Sequence, residues 1–592
     1  MDRTDGSATA LVTTNTYRDA DDRVVMVHGS SITKTEYDDL GRVTQVSRLA
    51  ETDDSAIADR TNTAGDVVLT QTRTDYDADT ALPTKTTTLD RFHDEDTHTG
   101  DLSSSEARIS YRMVFYDNRY RRTHAATYGT NGGSDPVYTG LSSPPTPSDT
   151  ILVAETVYGD DGRVLEQIDP SGTATRTLYD DLGRAVATIR NHTGGSLASA
   201  MRDTDLYTRT EYTDGNRTKL WVDIDGDGTE DADDQVTTYT FGVTKGTGAG
   251  DSRFASGDVL ASVSYEDGES ESFAYNIDGT THRATDRAGN VIDTEYDGAG
   301  RVEHRRATTI QSGFDGHVER ITVAYDNEGR RETVTQHDND AVGSGSVIDQ
   351  VKYTYDDLNN VTAIDQDLDS AVNAAGSVNH FRTLMAHSTL SPSGGHTRTV
   401  MTDLDTISYA SGSPTTHSQK AYVHGAGGSP SASAVRLTAV EEPSGLGTVT
   451  LASYEPMGSG RLAATGLSLT GGSSRTITQT ADPSGTNAYG RWDRFGRLIT
   501  DAWVRDNGTN PDRTIYEVSL AYDRASNITR AEDERYTARL DYAYTMDGLD
   551  RLTAAERGTW NGSAIASATY EETWGLDQVV NFATRTLDLD GD

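Results

Sequence analysis

A short motif that returns along the chain limits what this sequence can fold into. In its first clear copy, TEYDDLGRVTQV, an aromatic residue is followed by an acid, a glycine comes three residues after the acid, and an arginine follows the glycine. Close copies begin at Tyr158, Tyr179, Tyr296, Tyr325 and Trp492. A sequence that recurs at a regular interval predicts a repeat array, in which each unit needs its neighbours to bury its apolar face.

The spacing of the copies sets the size of the unit. Tyr158 and Tyr179 are 21 residues apart, and Tyr296 and Tyr325 are 29 residues apart. Looser relatives of the motif begin at Tyr116, Tyr212, Tyr275, Tyr355, Tyr454, Tyr522, Tyr544 and Trp574. The sequence therefore predicts a basic unit of about two short strands and their turn, with expansions where the interval lengthens.

Each copy predicts a β-hairpin. In the first one a strand ends at Tyr37, and Asp38 opens the turn, because an aspartate side chain accepts hydrogen bonds from backbone N–H groups two residues on. Gly41 supplies the positive φ of a type I turn with a bulge, and Arg42 begins the return strand. This arginine can pair with the aspartate of its own turn or stack on a neighbouring tyrosine.

The hairpin residues predicted in this way form one set of structural positions. They are Tyr37, Asp38, Gly41, Arg42, Tyr158, Gly162, Arg163, Tyr179, Asp180, Gly183, Arg184, Tyr296, Asp297, Gly300, Arg301, Tyr325, Asp326, Gly329, Arg330, Trp492, Asp493, Gly496 and Arg497.

The predicted fold class is all-β, a long antiparallel array of hairpins in a curved or spiralling sheet that forms a partial shell. Only 34% of the residues are hydrophobic, which allows thin layers and no large core. The motifs divide the chain into degenerate repeats (1–150), a well-formed array (151–367), degenerate repeats with Gly/Ser-rich loops (368–486) and a last, truncated set (487–592).

The repeated Tyr-Asp-x-x-Gly-Arg motif resembles the YD repeat of the RHS family, whose relatives include toxin-complex shells, bacterial wall-associated proteins and teneurins. The resemblance covers most of the chain and is firmest over 150–367 and 487–592. It implies a hollow shell whose repeats are structural and carry no catalytic residues, and it implies an extracellular or cell-surface location. In the toxin members such a shell encloses a C-terminal effector, so an effector domain or further repeats are the partners it implies.

Charge and composition exclude some classes of function. The formal net charge is −41, which argues against nucleic acid and anionic membranes as partners. The charge is explained by a solvated acidic surface or by adaptation to saline surroundings and divalent cations. There is no Cys, no apolar run long enough to cross a bilayer and no signal peptide in this chain. The absence of a signal peptide, an end cap and an effector together suggests a segment of a larger protein or a broken open reading frame.

The segment DIDGDGTEDADD follows the spacing of a calcium loop. The candidate calcium ligands are Asp223, Asp225, Asp227, Thr229, Asp231 and Asp234, with Gly228 at the sharp turn. An aspartate replaces the usual glutamate at the last position, and no helical flanks are evident. The alternative is a solvated acidic loop. Calcium is the one cofactor that the sequence suggests.

These observations favour a non-enzymatic structural scaffold that forms shell wall or an interaction surface. The alternative is an adhesin that binds surface glycans or proteins through exposed tyrosine and tryptophan side chains. An enzyme or toxin effector is the third hypothesis, and no catalytic motif supports it. The DPSGT and EPSGL strings resemble the self-cleavage site of the toxin shells, Pro-x4-Asp-Pro-x-Gly-Leu, only in part. We interpret them as turns.

Overall fold

The computed structural model describes most of the chain. The described residues are 14–28, 31–54, 58–193, 204–224, 226–232, 234–372, 380–390, 398–410, 413–425, 436–444, 447–468, 476–506, 512–535, 541–566, 568–577 and 582–589. Within them the chain forms one antiparallel sheet of 38 strands and two short 3-10 helices, Ala58–Thr61 and Asn131–Gly133. No α-helix occurs in these ranges.

The first nineteen strands carry the early part of the array. They are β1 (Asn15–Arg18), β2 (Val24–His28), β3 (Ile32–Tyr37), β4 (Val43–Glu51), β5 (Val67–Tyr76), β6 (Pro83–Arg91), β7 (Ala107–Tyr116), β8 (Arg122–Gly129), β9 (Leu152–Tyr158), β10 (Val164–Ile168), β11 (Ala174–Tyr179), β12 (Ala185–Arg190), β13 (Leu206–Thr213), β14 (Asn216–Asp223), β15 (Gln235–Val243), β16 (Ser256–Tyr265), β17 (Ser270–Tyr275), β18 (Thr281–Thr285) and β19 (Val291–Tyr296).

The other nineteen strands complete the sheet. They are β20 (Val302–Thr309), β21 (Arg320–Tyr325), β22 (Arg331–His337), β23 (Val347–Tyr355), β24 (Val361–Asp367), β25 (His380–Leu390), β26 (Arg398–Ala410), β27 (Ser413–His424), β28 (Leu437–Ser444), β29 (Gly447–Met457), β30 (Arg461–Ser468), β31 (Thr476–Thr480), β32 (Thr500–Arg505), β33 (Arg513–Tyr522), β34 (Ile528–Asp533), β35 (Asp541–Met546), β36 (Leu552–Gly558), β37 (Tyr570–Leu576) and β38 (Phe582–Asp588).

Every strand pairs in antiparallel fashion with the strands before and after it in the sequence. In the described ranges no pairing joins β1 to β38, so hydrogen bonds between strands do not close the sheet. The predicted all-β hairpin array is confirmed. The predicted division into four regions stays a prediction.

Strict alternation of strand direction gives the sheet two different rims. All connections from an odd to an even strand lie at one rim, which we call the motif rim because the Tyr-Asp turns lie there. All connections from an even to an odd strand lie at the other, which we call the opposite rim. The acidic loop between β14 and β15 belongs to the opposite rim.

Buried apolar residues form three small clusters instead of one core. The first includes Met26, Ile32, Leu49, Val68 and Leu89 under the loops that follow β4 and β6. The second lies on β7, β8 and β9, and the third surrounds Trp492. The long middle of the sheet holds few buried apolar side chains, so cross-strand contacts carry most of its packing.

The sheet winds back on itself. Motif-rim connections of the late strands contact opposite-rim segments of the early strands, and we call this contact the seam. Its hydrogen bonds join residues 344 to 396 positions apart, such as Arg494 to the Thr150 carbonyl and His93 to the Tyr489 hydroxyl. The predicted spiral is therefore an open sheet whose successive windings touch through loops.

The described part of the chain contains no helix long and apolar enough to cross a bilayer.

Candidate functional site

The turn of each motif is held by one aspartate carboxylate and one glycine. In the copy at Tyr296, the N–H of Asp297 donates to the Arg301 carbonyl and the N–H of Gly300 donates to the Asp297 carbonyl, at 2.8 and 3.0 Å. Oδ1 of Asp297 accepts from the N–H groups of Ala299 and Arg301, both at 2.9 Å. Gly300 has φ 78°, the left-handed region that glycine adopts at little cost.

The motif arginine makes both interactions that the sequence left as alternatives. Nε of Arg301 donates to Oδ2 of Asp297 at 2.8 Å. The same guanidinium lies 4.1 Å from the ring centroid of Tyr325, the tyrosine of the next hairpin. The equivalent stacked pairs are Arg42–Tyr76, Arg121–Tyr158, Arg163–Tyr179, Arg184–Tyr212, Arg330–Tyr355 and Arg497–Tyr522. One side chain thus closes its own turn and connects it to the following turn.

The motif tyrosine connects its hairpin to the preceding one. The Tyr325 hydroxyl donates to the Val302 carbonyl at 2.9 Å, and Val302 begins the return strand of the hairpin before. The same bond is made by Tyr37, Tyr76, Tyr116, Tyr158, Tyr179, Tyr212, Tyr296 and Tyr355. Sequence reasoning gave these rings a packing role and missed the hydroxyl. The excess of 29 Tyr over 9 Phe is the signal that could have revealed it.

Two predicted copies depart from the pattern. At Tyr158 a glycine, Gly159, stands in place of the aspartate, and Arg163 pairs instead with Asp161 at 2.8 Å. At Trp492 the ring is buried, is stacked on Tyr489 with centroids 5.2 Å apart, and lies 3.8 Å below the Arg461 guanidinium. The tryptophan copy therefore contributes to the third apolar cluster and to the seam.

The charged groups of the motif stabilise the ionised carboxylate. The bond from the Arg301 side chain and the backbone N–H of Arg301 hold the pKa of Asp297 below its usual value. The side chain and backbone of Arg42 do the same for the pKa of Asp38. These carboxylates are ion-paired turn elements, and a general acid or base near neutral pH needs a pKa closer to 7.

Two carboxylates of the acidic loop are buried, and others are exposed. Asp223 and Asp234 are buried, and their oxygens accept from the backbone N–H groups of Gly226, Gly228, Ile224 and Asp231. Arg209 also pairs with Asp223. Asp227, Thr229 and Asp231 are exposed, and the Asp227 carboxylate accepts from Thr229.

These positions bear on the predicted calcium loop without testing it. Asp225 lies outside the described residues. In the part of the loop that is described, no three carboxylates approach one another closely enough to share an ion. Arg209 supplies a positive charge at the buried end. Calcium binding here stays a prediction.

The seam brings turn tips of the late strands beside shallow cavities on the early strands. Phe495, in the fourth position of the tryptophan copy, lines a cavity of about 290 Å³ with Thr88, Ser110 and Thr127. Leu549, in the turn of the copy that begins at Tyr544, lines a cavity of about 440 Å³ on β9 and β10. Arg524 and Asp149 form an ion pair at 2.7 Å between the two windings.

The histidine-rich loop after β6 also serves the seam. Nδ1 of His93 is 2.9 Å from the Tyr489 hydroxyl, and the Glu95 carboxylate accepts from the N–H groups of Thr97 and His98. The contacts of the motif and of the seam thus connect neighbouring hairpins and the two windings of one repeat array.

No family model matches the sequence, and no curated protein matches it. Solved structures are similar in fold. The structure described as TcdB2-TccC3-TEV matches with 11% identity and TM-score 0.43, over 98% of this chain and 34% of that chain. The one described as TcdB2-TccC3 matches with 12% identity and TM-score 0.42, over 98% of this chain and 31% of that chain. The one described as TcdB2-TccC3 without its hypervariable C-terminal region matches with 12% identity and TM-score 0.44, over 98% of this chain and 33% of that chain.

The chain thus spans about a third of the length of the chains it matches. At these identities and TM-scores the likeness carries no inference about activity or partners. In its motif, and in the hairpins that the motif builds, the chain resembles the RHS/YD-repeat proteins.

Proposed function

We propose that this chain is wall material: a non-enzymatic segment of a secreted or cell-surface RHS-type protein, whose spiral sheet encloses or presents another component. One observation carries the proposal. The polar groups of the motif are directed at neighbouring hairpins, with Arg301 on the ring of Tyr325 and the Tyr325 hydroxyl on the Val302 carbonyl. Groups used in this way give a continuous wall and leave no reactive pair.

The seam supports the same function. A flat ribbon of hairpins would have no contact between distant strands, whereas here the two windings are joined by Arg524–Asp149 and by the Arg108 bond to the Asp493 carbonyl. Such contacts support a sheet that curves around an interior. The partners we propose are an effector domain or further repeats inside, and surface glycans or proteins outside.

Small-angle scattering and negative-stain microscopy of the whole chain test the proposal. We expect a curved wall around a low-density interior, with a radius of gyration larger than that of a solid sphere of equal mass. A solid compact particle, or a ribbon whose windings never meet, would contradict it. A catalytic turnover that is abolished by one substitution outside the motifs would contradict the non-enzymatic role.

A further inference from the structure

A lysine and two aspartates meet in the interior near the start of the sheet. Lys34 lies on β3, Asp54 lies in the connection that follows β4, and Asp66 immediately precedes β5. The side chains of Lys34 and Asp66 are 0% exposed and that of Asp54 is 3% exposed. Charged groups are almost never buried to this degree unless they are paired.

The lysine nitrogen is crowded by oxygen atoms. Nζ of Lys34 is 2.6 Å from Oδ2 of Asp66 and 2.8 Å from Oδ1 of Asp54. It also donates to the backbone carbonyls of Asn62 and Asp59, at 2.7 and 3.1 Å. Four oxygens surround a group that has three protons to donate.

The contact with Asp66 differs from an ordinary ion pair. Nζ is only 2.6 Å away, yet among the described residues neither oxygen of this carboxylate has a partner with full hydrogen-bond geometry; the Thr52 hydroxyl is the other polar side chain that interacts with it. The backbone of Asp66 is fixed, because its N–H donates to the Thr63 carbonyl and its carbonyl accepts from the N–H of Gly100. Two reactive groups are therefore held at contact distance with little freedom to separate.

One side of the surroundings favours uncharged groups. Ile32 and Val68 of the first apolar cluster, two positions from Lys34 and Asp66 in the sequence, are fully buried. On the other side the carboxylate of the exposed residue Asp53 lies within 4.8 Å of those of Asp54 and Asp66. Burial raises the pKa of Asp66, against the lowering effect of Lys34. A buried ion pair must overcome the desolvation of both charges, and a neutral product at the same place avoids that cost.

We propose that Lys34 and Asp66 condense to an intramolecular amide cross-link, with Asp54 as the group that carries the proton. No earlier step in the function proposed above requires this bond, and the scaffold stands with or without it.

The reaction balances without any co-reactant. The Lys34 ammonium gives a proton to the Asp54 carboxylate, and the free amine attacks the carboxyl carbon of protonated Asp66. The C–N bond forms, Asp54 returns a proton to the departing hydroxyl group, and one water molecule leaves. Asp54 then takes the remaining surplus proton from nitrogen. The products are a neutral amide, water and a neutral Asp54, so protons and charge are conserved.

Other lysine–aspartate pairs in the chain provide an internal comparison. Nζ of Lys85 lies 2.9 Å from Asp75 and 3.0 Å from Asp135, and those two carboxylates are 58% and 61% exposed. Water solvates exposed charged groups, so an ion pair there avoids the desolvation cost that favours a neutral product. We therefore expect no cross-link at Lys85.

The intact mass of the purified, denatured chain tests the proposal. We expect it to be lower than the sequence mass by one water molecule. Trypsin should then fail to cleave after Lys34, and the fragment 24–42 should be found joined to the fragment 61–73, which contains Asp66. Cleavage after Lys85 should be normal and serves as the control.

Two variants assign the roles. Lys34→Met should restore the full sequence mass, corrected for the substitution. Asp54→Asn keeps both reacting groups and should leave most of the chains without the cross-link, and circular dichroism checks that the sheet is retained. Since the mass and the tryptic peptides of the wild-type chain together decide the question, a variant that fails to fold does not obscure it.

Three results would overturn the proposal. The first is a wild-type mass equal to the sequence mass, with normal cleavage after Lys34, which would mean a buried ion pair only. The second is a lost water that maps to a single unjoined peptide. The third is a joined peptide that contains 49–60 in place of 61–73, because it would make Asp54 the reacting group. None of these outcomes bears on the shape measurements that test the scaffold.

Discussion

At the scale of single residues, the motif tyrosine uses both parts of its side chain. The ring receives the arginine of the hairpin before it, and the hydroxyl reaches a carbonyl on that same hairpin, as Tyr325 does with Arg301 and Val302. Phenylalanine can supply the first contact and not the second. This explains why Tyr is repeated at the position where any large apolar ring would fill the space.

Tyr325→Phe should weaken the contact between β20 and β21. Loss of the hydroxyl leaves the Val302 carbonyl without this donor, which costs about 1 kcal/mol. Amide hydrogen exchange in β20 and β21 measures the effect locally, which suits a repeat array better than a global midpoint. Tyr353→Phe is the matched control, because the Tyr353 hydroxyl has no hydrogen bond to the described residues. Equal effects of the two substitutions would contradict the role of the hydroxyl.

The glycine of each turn is needed for its backbone angle. Gly300 has φ 78° and no neighbour within 4 Å of an added Cβ, so Gly300→Ala should cost about 1 kcal/mol through backbone strain alone. Gly298→Ala, in the same turn with equally open space and no positive φ, is the control and should be neutral or slightly stabilising. Hydrogen exchange of β19 and β20 compares them. Equal costs would show that the turn does not demand a left-handed residue.

Calcium binding at the acidic loop remains a proposal that calorimetry can test. Calcium at Asp223 has to displace Arg209, so Arg209→Ala should strengthen binding relative to the wild-type chain. The experiment titrates calcium into both proteins in chelator-treated buffer, with Asp227→Asn as a variant that removes one exposed ligand. A flat titration for the wild type and for Arg209→Ala would dismiss the site.

At the scale of elements, the hairpin is a unit because its turn is closed by charge. Arginine and aspartate are four residues apart, and the backbone donors of the turn converge on the same carboxylate. In some copies an asparagine takes the place of the arginine, as Asn360 does beside Asp356. Those turns keep the carboxylate bonds and lose the stacked cation, which is one source of unequal strength along the array.

Acid should weaken the hairpins through their aspartates. The folded pKa of Asp297 lies below its unfolded value, so its contribution to stability is complete above about pH 4 and is lost as the pH falls through the folded pKa. Asp297→Asn removes this contribution. Comparing the variant with the wild type cancels the general effect of neutralising the large negative charge.

The measurement is hydrogen exchange of β19 and β20 in both proteins between pH 7 and pH 3, corrected for intrinsic exchange. The wild type should be the more protected at pH 7, and the difference should shrink toward pH 3. A difference that stays constant over this interval would show that the Asp297 ion pair contributes no pH-dependent stability.

The sequence was sufficient to predict the hairpins because their determinants are local. Asp38, Gly41 and Arg42 lie within five positions, and each acts on the same turn. The same reasoning could not find the tyrosine–carbonyl bond, which depends on the distance between hairpins. It also could not choose between the two arginine contacts, since a sequence does not show that one guanidinium reaches both.

Long-range features were beyond the reach of sequence reasoning. Phe495 and Leu40 occupy the same motif position, yet Leu40 is 74% exposed while Phe495 lies in the seam. Nothing in the local pattern separates them, because the difference arises from the curvature of the whole sheet. The same holds for Lys34, Asp54 and Asp66, which carry no motif and meet only after the loop that follows β4 folds over the strands.

At the scale of the whole molecule, the seam converts a ribbon into a wall. It joins tips on the motif rim to segments on the opposite rim, and it contains a buried aromatic cluster around Trp492. The contacts are few compared with those between adjacent strands. We therefore expect the seam to open before the strands separate.

Phe495→Asp should open the seam without unfolding the array. A charge in the cavity beside Thr88 and Thr127 must be desolvated without a partner, so the tip should leave it. The expected results are a larger radius of gyration and faster hydrogen exchange at 86–88, 110–112 and 127–129, with an unchanged circular dichroism spectrum. Leu40→Asp, at the same motif position on an exposed tip, is the control and should change none of these.

The distance along the chain between seam partners has a consequence for how such a protein can change in length. Thr173 meets the Gly548 carbonyl and Asp149 meets Arg524, in both cases across 375 positions. Removal of one complete hairpin between them would leave every remaining turn intact, yet every later tip would arrive one step away from its cavity. Loss of a single strand would send the tips to the wrong rim. Substitutions inside the hairpins should thus be tolerated far more readily than insertions or deletions between the two windings. The number of strands between seam partners should therefore change less readily than the sequence of those strands.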